Sequence, residues 1–179
     1  MSLAKDEKSR AQMRLLRGYL DVSDGPENDF ANQEEIKASG SCGWFEEREN
    51  FQAWRDVFDD TLGEKHDHIP QFYWLSARPG TGKSVLAGHI VSHLQNFHLD
   101  CAYYFFHHGD KSGQVLSGLL RSLAYQMSLS NAVIREKLLQ LEDDGVILDK
   151  DDERSIWRKV FLNGILQVRN LENDSLNGS

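Results

Sequence analysis

The stretch Gln71-Phe72-Tyr73-Trp74-Leu75-Ser76-Ala77-Arg78-Pro79-Gly80-Thr81-Gly82-Lys83-Ser84-Val85 governs the reading of the whole chain. Its first six residues are aromatic and apolar, the composition of a buried strand. Gly80 and Gly82 then supply positions that can take positive φ without steric cost. After Ser84, Leu86, Ile90, Leu94 and Phe97 fall at helical spacing, so a helix is expected to end near His98 to Asp100. Cys101-Ala102-Tyr103-Tyr104-Phe105-Phe106 reads as a second strand. Strand, glycine loop, helix and strand in that order predict a βαβ unit, a parallel sheet with a right-handed crossover.

The loop itself follows the pattern Gly, four residues, Gly-Lys, then Ser or Thr, with Ala77 standing at the first glycine. Two glycines turn backbone N–H groups toward an anion, and the following helix N-terminus adds its partial positive charge. Arg78, Pro79, Gly80, Thr81, Gly82, Lys83, Ser84 and Val85 are therefore the expected phosphate-binding residues. Lys83 would meet the β- and γ-phosphates, and Ser84 would ligate Mg²⁺ through its hydroxyl. The expected cofactors are ATP or GTP with Mg²⁺. Alanine at position 77 has less backbone freedom than glycine, which predicts weaker binding rather than none. The fold class this implies is α/β: a P-loop NTPase-like parallel sheet, incomplete, with a helical N-terminal segment and a helical C-terminal half.

Phosphoryl transfer also needs an acid at the tip of a second strand to hold the metal and position water. Asp110 follows the second predicted strand, but His107, His108 and Gly109 intervene. Asp149 follows Val146-Ile147-Leu148, a short apolar run that reads equally as a linker between helices. Neither makes a convincing catalytic acid. His89 and His93 are four apart on the loop's own helix, a spacing that can bind zinc, with His98, His107 and His108 nearby in sequence. No Glu or Cys beside them completes a site, so they are read as solvent-facing. His66-Asp67-His68 is read as exposed loop polarity.

The 179 residues carry 20 Lys+Arg against 28 Asp+Glu, a formal net charge of -8, which argues against nucleic acid or an anionic bilayer as partner. Cys42 and Cys101 stand far apart, in no metal-like spacing, so reduced thiols in the cytosol are expected. No signal peptide is recognisable, and no apolar run approaches the ~18 residues a membrane span requires. A cytoplasmic protein is expected.

Met13, Leu16 and Leu20 define a short amphipathic helix, taken as a satellite element. Asp21 to Ser41 is rich in Asp, Glu, Asn, Gly and Ser and reads as a linker with at most one helical turn, around Asn32 to Lys37. Trp44, Phe45, Phe51, Trp54 and Phe58 suit one face of a helix buried against the core rather than a recognition surface. Leu116 to Met127 and Val133 to Leu141 predict two more helices, the second capped by Asn131. A last helix has Asp151, Asp152 and Glu153 in its first turn and is expected to turn Ile156, Trp157, Val160, Phe161, Ile165 and Val168 inward. The division expected is residues 1–41 as N-terminal helix and linker, 42–168 as the partial nucleotide-binding domain, and 169–179 as a polar tail.

Cys42-Gly43-Trp44-Phe45, Phe51-Gln52-Ala53-Trp54, Tyr73 to Ser84, Tyr103-Tyr104-Phe105-Phe106 with Gly109-Asp110, and Leu119 to Gln126 occur in an order that resembles the nucleotide-binding module of fungal NACHT proteins. That module is also described as the nephrocystin-3-like N-terminal domain, of the STAND type. The likeness covers roughly residues 15 to 168. It implies a signalling switch with different triphosphate and diphosphate forms, protein partners or self-association, and roles in self-recognition and immunity. It also implies a further strand after the helix resembling Ser155 to Val168, ending in the Mg²⁺-coordinating acids of the Walker B element. Arg169 to Ser179 is polar instead. The chain is thus expected to stop short of its catalytic acid, and binding without hydrolysis is the favoured reading. The alternatives are a non-catalytic remnant or adaptor binding a partner through Trp44 to Phe58, and a complete small phosphotransferase or GTPase using Asp149.

Overall fold

The computed structural model describes residues 2–57, 72–107, 109, 112–149 and 151–168, and among these every regular element is a helix. In chain order they are α1 (Ser2–Tyr19), α2 (Gly25–Ile36), α3 (Gly43–Glu46), α4 (Glu49–Asp56), α5 (Lys83–Asn96), α6 (Ser112–Ser130), α7 (Ala132–Asp143) and α8 (Glu153–Ile156). The last runs on into a π-helical segment, Trp157–Ile165. They form two compact units, one of residues 1–26 with 102–179, the other of residues 27–101.

The parallel sheet is not there: among the described residues neither aromatic run forms a strand. The βαβ unit, and with it the α/β class, is replaced by an all-helical architecture. A strand exists only where its backbone finds a ladder partner, and side-chain pattern does not supply one. In the run from Cys101 to Phe106, the Tyr103 backbone N–H donates to Gln126 Oε1 at 3.0 Å and its carbonyl accepts from Gln126 Nε2 at 2.9 Å. One side-chain amide thus takes the place of a neighbouring strand. From Phe72 to Ser76 burial alternates, with Tyr73 and Leu75 turned inward and Phe72 and Trp74 outward, as in extended chain. Val146-Ile147-Leu148 forms no regular element either; Val146 and Leu148 pack on a helical core and Ile147 is exposed.

The first unit is a helical assembly around aliphatic stripes. Leu16 and Leu20 from α1, Ile134, Leu138 and Leu141 from α7, and Ile156, Val160, Phe161 and Ile165 from α8 and its π continuation form one buried cluster. Ala124 and Tyr125 of α6 complete it. Trp157, expected to face inward with Ile156 and Val160, is exposed instead. Each such side chain contributes ~1.5–3 kcal/mol by leaving water. The helix at Met13 to Leu20 is therefore central to a core, not a satellite. At the α6–α7 joint, Asn131 Oδ1 accepts from the N–H groups of Val133 (2.9 Å) and Ile134 (3.0 Å), capping α7 as its residue type predicts. Arg135 reaches back to the carbonyls of Ser128 and Leu129, both at 3.0 Å, and satisfies the end of α6. Asp152 caps α8 by accepting from Ser155 N–H at 2.9 Å.

The second unit has a small aromatic core. Phe45 and Phe51 are fully buried with Leu86, and their rings lie 4.7 Å apart. Tyr73 meets both edge-on, at 5.6 and 6.0 Å. The aromatic run is broken into α3 and α4 at Arg48, whose extended backbone ends one helix and starts the next. The expected linker holds α2, with Pro26 in its first turn, where a missing N–H costs nothing. Helix α2 rests tightly on α5: a Cβ at Gly88 would stand 2.8 Å from Gln33 Cβ.

Candidate functional site: the glycine loop at the head of helix α5

Helix α5 begins where the motif places it. Gly80 and Gly82 have φ of 78° and 82°, the left-handed region that side chains disfavour. A Cβ on either glycine would meet nothing within 4 Å, so backbone conformation, not crowding, demands glycine there. Gly82 is the N-cap of α5 and carries no side-chain cap, and its carbonyl accepts the first helical bond, from Leu86 N–H at 2.9 Å. The N–H groups of Lys83, Ser84 and Val85 therefore lie in a first turn that has no intrahelical acceptor for them. Thr81 Oγ1 donates to Arg78 carbonyl at 2.8 Å and tightens the turn. Lys83 Nζ folds back over the loop and donates to the carbonyls of Ala77 (3.0 Å) and Arg78 (2.9 Å). The loop from Ala77 to Gly82 is exposed along its length, as is Ser84.

The two candidate acids have different fates. Asp110 lies outside the described residues. Asp149 belongs to the other compact unit: its Oδ1 accepts from Asp151 N–H at 3.3 Å, and its carbonyl accepts from Arg121 at 2.9 Å. Arg121 is itself buried and lies 3.5 Å from the Asp21 carboxylate.

The histidines of α5 depart from expectation. His93 is buried and His89 half-buried, and they face Glu46 of α3 rather than solvent. His89 Nε2 lies 2.7 Å and His93 Nδ1 3.3 Å from the same Glu46 oxygen. Their other nitrogens lie against cations, His89 Nδ1 at 3.5 Å from Lys37 Nζ and His93 Nε2 at 3.3 Å from Arg55. Ammonium and guanidinium groups only donate, so these nitrogens are placed as acceptors. Each ring thus stands between Glu46 and a cation, although His89 Nε2 makes no hydrogen bond. Consistent with that, no group of three or more His, Cys, Asp or Glu among the described residues could hold a metal ion. Glu34 closes the network: burial pushes its carboxyl up, but hydrogen bonds from Lys37 and Ser92 and the charges of Lys37 and His89 outweigh this and hold it below the usual range. Sequence spacing showed both histidines; the acid came from another helix, which spacing along α5 cannot reveal. His98 follows Phe97, the C-cap of α5, with φ 57°, and His66, His68 and His108 lie outside the described residues.

No described helix is long and apolar enough to cross a membrane. Fold and site together define a helical protein with a glycine-lysine loop at the head of a helix. The family model for nephrocystin 3, N-terminal, matches residues 40–174, most of the chain, and the protein belongs to that family. No curated protein and no solved structure matches it.

Proposed function

We propose that this chain is a nucleotide-binding module that takes ATP or GTP with Mg²⁺ at the loop Arg78 to Val85. The observation that carries the reading is the conjunction of two left-handed glycines with the uncapped first turn of α5. That geometry leaves a concave set of N–H donors at the positive end of a helix, the arrangement suited to a polyphosphate. Lys83 supplies the cation. Its ammonium rests on two neutral carbonyls, and phosphate oxygens, which carry full charge, outcompete such acceptors. Ser84, exposed in the same turn, is the Mg²⁺ ligand. Signalling through nucleotide-dependent self-association is the biological role this reading favours. Hydrolysis is not part of this proposal, since neither Asp110 nor Asp149 makes a convincing catalytic acid.

Isothermal titration of Mg²⁺·ATP and Mg²⁺·GTP tests the proposal. Lys83→Ala removes a charge-assisted contact and should weaken binding roughly ten- to a hundredfold. Ser84→Ala should abolish the gain in affinity that Mg²⁺ gives the wild type. Equal affinity of wild type and Lys83→Ala would refute the reading.

A further inference from the structure

Directly before the loop lies an open pocket of about 840 Å³ in the same compact unit. Phe72 and Trp74, 88% and 89% exposed, stand over it while Tyr73 and Leu75, between and beyond them, anchor the segment to the aromatic core. Such exposure is unusual for two large rings so near each other. In extended chain, residues i and i+2 share a face at a separation of about 6.5–7 Å. A planar ring laid on the exposed face of either side chain would meet its carbons at ~3.5 Å.

The rest of the wall suits a heteroaromatic ring rather than a lipid or an aliphatic side chain. Asn50 lines the pocket, and its Oδ1 accepts from Tyr73 hydroxyl at 3.3 Å, so the NH₂ is the part of the amide available to donate to a ligand's ring nitrogens. Arg48, held over the face of Trp44 at 5.1 Å, adds positive charge to the same wall. The pocket lining reaches Ser76, the residue before Ala77 at the start of the glycine loop. From Trp74 to Ala77 is three residues of extended chain, ~10 Å, a length that a nucleotide bridges between its base and its β-phosphate.

We propose that this pocket is the base subsite: the purine ring of the nucleotide stacks on Trp74, with Phe72 on its other side and Asn50 at its edge. The assignment rests on the phosphate-loop reading above for its ligand class, but it concerns different residues and fails separately. The probes are adenosine, which has no phosphate; inorganic tripolyphosphate, which has no base; and ATP. Binding is measured by equilibrium dialysis on the full chain, with wild type, Trp74→Ala, Trp74→Phe and Lys83→Ala. Trp74 is outside the core, so its replacement leaves the fold intact, which circular dichroism verifies. Trp74→Ala should bind adenosine and ATP five- to a hundredfold more weakly, the span that loss of a stacking ring causes. Trp74→Phe should recover most of that affinity, and tripolyphosphate should bind all Trp74 variants alike. Lys83→Ala should lose tripolyphosphate yet keep adenosine. Unchanged adenosine affinity in Trp74→Ala overturns the base subsite and leaves the phosphate loop standing. Loss of adenosine in Trp74→Ala with no tripolyphosphate binding to wild type supports the stacking site and overturns the loop reading.

Discussion

The two compact units put their apolar side chains to different uses. The unit of residues 1–26 and 102–179 buries long aliphatic stripes from α1, α6, α7 and the π segment, and its polar side chains close helix ends: Asn131 caps α7, Asp152 caps α8, and Arg135 satisfies the end of α6. The unit of residues 27–101 buries a few aromatic rings, holds a charged network around Glu46, and leaves the glycine loop and two large rings in solvent. In the first unit, side chains close the ends of α6, α7 and α8. In the second, the first turn of α5 has no side-chain cap, and uncapped donors at a helix head suit an anion. The contrast marks the candidate site by what is left uncapped, not by depth of burial.

The comparison breaks most sharply at the two cores. Phe51→Ala removes a ring that touches Phe45, Trp54 and Tyr73, and the expected loss in stability is ~3–5 kcal/mol. Leu138→Ala in the aliphatic core should cost ~2–5 kcal/mol. Urea titrations followed by circular dichroism measure both; a loss under 1 kcal/mol for either would mean that its cluster is not a packed core. Gly82→Ala forces a side chain into the left-handed region and should cost ~1–2 kcal/mol, although a Cβ meets no atom within 4 Å. Asn131→Ala should cost ~1 kcal/mol through the lost cap of α7, with Asn131→Asp close to neutral.

The smallest effect is a pH dependence in the first unit. Tyr19 hydroxyl donates to Val146 carbonyl at 2.9 Å, and burial, then the charge of Glu142, raise its pKa from 10.0 to about 12. The folded state therefore holds the proton more tightly than the unfolded chain. Its stabilising contribution is complete below pH 10 and is lost as pH rises through about 12. Tyr19→Phe should flatten that alkaline limb in urea midpoints recorded from pH 9 to 12 while leaving Asn131→Ala's deficit unchanged. In the second unit, burial raises the Cys101 thiol, so iodoacetamide should alkylate it more slowly at pH 8 than it does free cysteine.

Helices were legible wherever a stripe and a cap coincided. Leu16 and Leu20, Asn131, and Ile156 with Val160 all announce themselves by spacing and residue type. What a stripe cannot announce is its cover, which is why the first helix reads as peripheral in sequence and is central in space. Helix α2 was obscured by its Asp, Asn and Gly content; packing of Gln33 against Gly88 is a tertiary fact. The aromatic runs misled because aromatic and apolar composition suits an extended backbone, while a strand also requires a partner. Gln126 takes that place at Tyr103, and no pattern within residues 101–106 foretells it. The glycine loop was legible because its conformation is a property of its own residues: Gly80 and Gly82 carry the positive φ that their identity permits.

Amide resonances of the loop give the most direct measurement. In ¹⁵N-labelled protein titrated with Mg²⁺·ATP, the N–H signals of Gly80, Gly82, Lys83 and Ser84 should shift together along one saturable curve, and Lys83→Ala should displace that curve to higher nucleotide concentration. Signals at those positions that stay fixed at millimolar nucleotide, in a sample whose spectrum is that of a folded protein, would contradict the account.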